Sequence, residues 1–105
     1  MLSIMIPDDA AECEPTPDSD LVDREGRPYF LWDVDMTLEQ FLQGLSDPDP
    51  EVRAYLAGKL MRQSRVADVG RFISVDDARA MWPRISRYLG RTREAWRARL
   101  DIREP

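Results

Sequence analysis

The chain contains no histidine. That removes the commonest general base, the commonest neutral metal ligand, and every Ser–His or Cys–His nucleophile pair. Cysteine is almost as scarce. Cys13 is the only one, which excludes an internal disulfide and any CxxC motif, and it reads as an exposed thiol in a reducing cytoplasm. Five glycines stand singly at 26, 44, 58, 70 and 90, too dispersed to cradle a phosphate. No apolar run approaches the roughly 20 residues of a membrane-spanning helix. Residues 1–6 are apolar, but they carry no basic group and run straight into Asp8 and Asp9, unlike a secretory signal. The expectation is a cytoplasmic chain with no membrane segment, no cofactor and no catalytic or metal-ligating set.

What is present is a core-forming share of apolar residues, 43% of 105, which suffices for one modest domain. Charge is split along the chain. Residues 1–51 hold fourteen of the twenty acids and only two of the fifteen bases, and the remainder is basic. Such a dipolar chain can steer a partner of opposite sign with either pole.

Residues 1–27 read as a disordered acidic leader: eight acids, three prolines and few large apolar groups. Order is expected from Pro28, with a helical domain over 28–105. The run Tyr29-Phe30-Leu31-Trp32 is too short for a helix and reads as an extended or turned segment pinned into a core or onto a partner. Thr37 followed by Gln40 has the form of a capping box, and Leu38, Phe41, Leu42 and Leu45 then share one helical face. Asp49-Pro50 is a second helix start, opening a helix over 50–63 with Val52, Tyr55, Leu56 and Leu60 inward and Arg53, Lys59 and Arg62 toward water. A short turn is expected over 69–72. A third helix starts at Ser74 and breaks near Pro83; Gly90 caps its continuation, and a last helix covers 92–102. No strand-like alternation occurs. The fold expected is all-α, a compact bundle of four or five short helices.

Three constellations bear on function. Asp33 and Asp35 form an i, i+2 carboxylate pair of the kind found in nucleotidyltransferase metal sites, but a third acid is missing, so turn and helix capping or partner docking is the better reading. Arg84, Arg87 and Arg91 line one helical face, with Arg93 and Arg97 on another; this is a solvated face or an anion-contacting one. Trp32, Trp82 and Trp96 are a large aromatic payload for so small a domain, suited to core packing or to interface hot spots. The residues expected to meet a partner are Tyr29, Phe30, Trp32, Asp33, Asp35, Trp82, Arg84 and Trp96.

The order of blocks carries a resemblance. Pro28-Tyr29-Phe30-Leu31-Trp32-Asp33-Val34-Asp35, then Asp68-Val69, Phe72-Ile73-Ser74-Val75-Asp76-Asp77, Met81-Trp82-Pro83-Arg84 and Arg93-Glu94-Ala95-Trp96, resembles a family of small prokaryotic proteins encoded beside AbiEii-type nucleotidyltransferase toxins. It covers residues 28–100. The resemblance implies an antitoxin whose partner is the cognate nucleotidyltransferase-like toxin, neutralised by direct binding. The larger AbiE antitoxin carries a winged-helix DNA-binding part that has no counterpart here. Two other classes remain open on the residues: a nucleic-acid-binding regulator using the Arg-rich C-terminal helices, and a helical homodimer subunit of unrelated function.

Overall fold

The computed structural model describes residues 16–103. The expectation for Cys13, and that part of the expected 1–27 leader that covers 1–15, lie outside the described residues. Over residues 16–103 the protein is all-α, and its one β-contact is an isolated antiparallel bridge between Val22 and Pro28. The elements are α1 (Asp18–Leu21), a 3-10 turn (Tyr29–Leu31), α2 (Leu38–Leu45), α3 (Pro50–Gln63), α4 (Val66–Val69), α5 (Val75–Ala80), α6 (Trp82–Ile85), two more 3-10 turns (Ser86–Tyr88 and Gly90–Thr92) and α7 (Arg93–Arg99).

Helix α3 is the axis of the molecule. Asp49 accepts a hydrogen bond from the Glu51 N–H at 2.9 Å, and Pro50 supplies a preset φ at the first helical position. Its side chains from Leu56 to Met61 are all buried, because α2, the Tyr29–Leu31 turn, α6 and the Ser86–Tyr88 turn pack around it. Gly58 allows the close approach of the Ser86–Tyr88 turn. A Cβ there would stand 2.7 Å from the Tyr88 Cβ. The helix before α3 is held by the capping box expected of it: the Gln40 N–H donates to Thr37 Oγ1 at 3.2 Å and the Thr37 N–H to Gln40 Oε1 at 2.9 Å. Ser74 Oγ likewise accepts from the Asp77 N–H at 3.0 Å and starts α5. Met81 then separates α5 from α6, which is the break expected near Pro83; Trp82 nevertheless opens α6, with Pro83 in its first turn.

Three local features depart from the sequence reading. Residues 16–27 belong to the fold: Thr16 and Leu21 are buried, and Asp23 Oδ1 accepts from the Glu25 and Arg27 N–H groups to close a turn. Anchors distant in sequence supply what the acidic composition lacks. A short helix over Val66–Val69, with Asp68 and Val69 buried, precedes the turn expected over 69–72, where the Phe72 N–H donates to the Val69 carbonyl at 3.0 Å. Finally, α7 stops at Arg99. Asp101 takes φ of +53°, its N–H donates to the Ala98 carbonyl at 3.1 Å, and the Ile102 N–H donates to the Arg97 carbonyl at 3.0 Å. This left-handed terminus satisfies the last carbonyls and ends the helix.

Candidate functional site

The Tyr29–Leu31 turn divides its side chains between the interior and water. Phe30 is fully buried and meets Phe41 edge-on, ring centroids 5.2 Å apart; Leu31 is buried beside it. Tyr29 is partly buried, and its hydroxyl donates to Asp68 Oδ2 at 2.5 Å while accepting from the Arg65 N–H at 2.8 Å. Trp32, the next residue after the turn, is 73% exposed. A groove of about 400 Å³ runs beside it, lined among others by Asp20, Val22, Asp23, Arg27 and Tyr29.

The backbone beneath Trp32 is fixed from both sides. Asp33 Oδ2 accepts from Lys59 Nζ at 2.6 Å and from Gln63 Nε2 at 3.3 Å. The Lys59 ammonium holds the Asp33 carboxyl below the usual carboxylate range, against the opposing effect of burial. Asp35 projects into water and meets Arg27 at 3.5 Å; Arg27 also pairs with Asp23 at 3.1 Å and Glu25 at 3.4 Å. Asp33 and Asp35 therefore serve different partners and do not converge on one point. The surface around Trp32 is acidic: Asp20 and Asp23 line the groove, and Glu25, Asp33 and Asp35 join them against the cations Arg27 and Lys59.

Lys59 corrects the sequence reading. It was expected to face water and is 3% exposed. The signal was present, because Leu56, Lys59, Leu60 and Gln63 fall at i, i+3, i+4, i+7 on one face. Burying its stem while the ammonium meets a carboxylate at the surface is the usual accommodation of a long cationic side chain. Asp68 is the second buried charged group that composition does not reveal. It is fully buried and accepts from the Thr16 N–H at 2.7 Å, Thr16 Oγ1 at 2.6 Å and the Tyr29 hydroxyl. Burial pushes its pKa up, and the hydrogen bonds from Thr16 and Tyr29 outweigh that and leave it lowered.

The other residues expected to meet a partner lie elsewhere. Trp82 and Trp96 are core residues, 5% and 7% exposed, and the Trp96 indole N–H donates to the Met61 carbonyl at 2.8 Å. With Phe30 they support the surface from within. The guanidiniums of Arg93 and Arg99 lie 5.6 Å from the Trp82 and Trp96 rings. The expected arginine row is largely engaged by the chain itself. Arg84 and Arg87 both turn to Glu51, at 3.2 and 3.6 Å, and Arg97 bonds Glu94 and the Ile102 carbonyl.

Among the described residues, no group of three or more His, Cys, Asp or Glu is placed to hold a metal ion, and no helix is long and apolar enough to cross a membrane. No family model matches the chain, and no curated protein or solved structure matches it.

Proposed function

We propose that the chain is a non-catalytic protein-binding module, the antitoxin of a nucleotidyltransferase-type toxin, and that it neutralises the toxin by direct contact through the surface around Trp32. The exposure of Trp32 carries the reading. An indole held in water forgoes the gain of burying its large apolar face. Here it stands on a backbone tied down by Asp33 to Lys59 and by Tyr29 to Asp68. A rigid, exposed tryptophan beside a groove is the kind of anchor that dominates interface energies. The ring of carboxylates selects a partner of positive potential and disfavours nucleic acid on this face. An enzyme that binds polyanionic nucleotides presents such a potential at its own cleft. The resemblance of the sequence blocks points to the same partner.

The test is co-expression with the product of the neighbouring open reading frame, followed by size-exclusion with mass detection and a growth-rescue assay. A stable complex with rescue is expected. Trp32→Ala is expected to weaken binding about 30-fold or more, the measure of a hot spot, with the circular dichroism spectrum unchanged. Full-strength binding by a folded Trp32→Ala chain would sink the role of this surface. Absence of any complex, with the isolated chain running as a dimer, would replace the reading with a homodimer subunit.

A further inference from the structure

A second groove, of about 220 Å³, lies on the side of α4 and α7, away from Trp32 in the lining of its walls. Its floor is apolar: Met61, Val69, Ile73, Ala78, Trp96 and Leu100. Val66 and Val75 line it as well and are 39% and 57% exposed, although aliphatic side chains gain by burial. Arg99 lines one side, over the Trp96 ring. The groove thus asks for a short aliphatic segment with carboxylates beside it.

Thr16 is tied to α4, which forms one wall of this groove. Its N–H and hydroxyl are bonded to Asp68, which lies in α4 between the groove residues Val66 and Val69. Arg65, just before α4, also donates to Thr16 Oγ1, at 3.2 Å. Thr16, from which residues 1–15 extend in sequence, is thus anchored on α4 by Asp68 and Arg65. Residues 1–15 hold Leu2, Ile4, Met5 and Ile6, then Asp8, Asp9, Glu12 and Glu14. The nine residues between Ile6 and Thr16 can span roughly 30 Å when extended, ample for an adjoining groove.

We propose that the groove between α4, α5 and α7 is the docking site of the chain's own residues 2–6, with the acids of residues 8–14 drawn to Arg65, Arg71 and Arg99. Aliphatic side chains cover Val66 and Val75, and charge complementarity sets the direction of approach. The arrangement closes the groove against other apolar segments. It is independent of the Trp32 reading and stands or falls without it.

The experiment uses the full chain with Cys13→Ser and Ser3→Cys, labelled at position 3 with a nitroxide. Paramagnetic broadening is read on the backbone amides. Strong broadening at Val69, Ile73, Val75, Ala78 and Leu100, lost when Leu2, Ile4, Met5 and Ile6 are changed to Ser, is the expected result. That four-fold change leaves every core residue among the described residues in place. Broadening absent from these amides, or equal across the surface, would overturn the proposal. A mixture of nitroxide-labelled chain at natural isotope abundance with unlabelled ¹⁵N chain separates the sources. Broadening of the ¹⁵N chain would assign the groove to a second copy and overturn docking within one chain.

Discussion

The acidic N-terminal region and the basic C-terminal region use the same kinds of residues to opposite ends. Around residues 16–35 the tryptophan faces water and the carboxylates ring it. Across residues 74–103 both tryptophans are inside, and many arginines meet carboxylates or carbonyls of the chain itself. The difference lies in the backbone. The Tyr29–Leu31 turn spends Phe30 and Leu31 on the core and leaves Trp32 on the outward side. Trp82 opens α6 against α3, and Trp96 has the Met61 carbonyl as acceptor for its N–H, so that Trp96 is buried with its polar atom paired. Residue type thus does not assign a tryptophan to interface or core; the direction of its backbone and the presence of an acceptor do.

The sharpest way to break this comparison is a pair of alanine substitutions. Trp96→Ala removes a buried indole and is expected to cost about 3–5 kcal/mol in urea unfolding. Trp32→Ala is expected to stay within about 0.5 kcal/mol. Equal costs would mean that Trp32 also carries the fold. Asp68→Ala leaves the Thr16 and Tyr29 donors without their buried acceptor and is expected to cost about 3 kcal/mol. It should also release residues 16–22, read as faster amide exchange there than in α3.

Acid tests the same anchors without mutation. Asp68 and Asp33 both have lowered pKa values in the folded chain. The unfolded chain then binds protons at a higher pH than the folded one. Their stabilisation is present above the ordinary carboxylate value of about 4 and is lost as pH falls through the lower folded values. Urea midpoints are expected to hold from pH 7 to 5 and to fall below about pH 4. Asp68→Asn is expected to flatten that fall. The smallest effect belongs to the C-terminal arginines. Arg84→Ala breaks a half-exposed pair with Glu51, at most about 1 kcal/mol, and less in high salt. A loss as large as that of Asp68→Ala would make the basic half, too, dependent on a charge anchor.

Much of the fold was legible in local chemistry. Thr37 with Gln40, Asp49 with Pro50, and Ser74 with Asp77 mark three helix starts by hydrogen bonds that close within a few residues. The break ahead of Pro83 and the positive φ of Gly90 follow from constraints on single residues. The end of α7 was less legible, because a left-handed Asp101 is an uncommon choice where glycine is usual. The block from Tyr29 to Asp35 stood out in the sequence, but the directions of its side chains did not. Tyr29, Phe30, Trp32, Asp33 and Asp35 are neighbours in sequence and part company in space.

The sequence by itself determined that this is a helical chain, where most of its helices begin, and that its charge is divided between two halves, because those properties depend on groups within a few residues of each other. The tertiary structure decided that residues 16–27 join the fold, that Lys59 turns inward to Asp33, and that one tryptophan of three stays in water. Each of these rests on a contact between residues 26 to 52 positions apart, such as Lys59 with Asp33 or Thr16 with Asp68. Such contacts form only once α3 and the elements around it have closed together; a local pattern can place Lys59 on an inward face, but it does not name the distant partner.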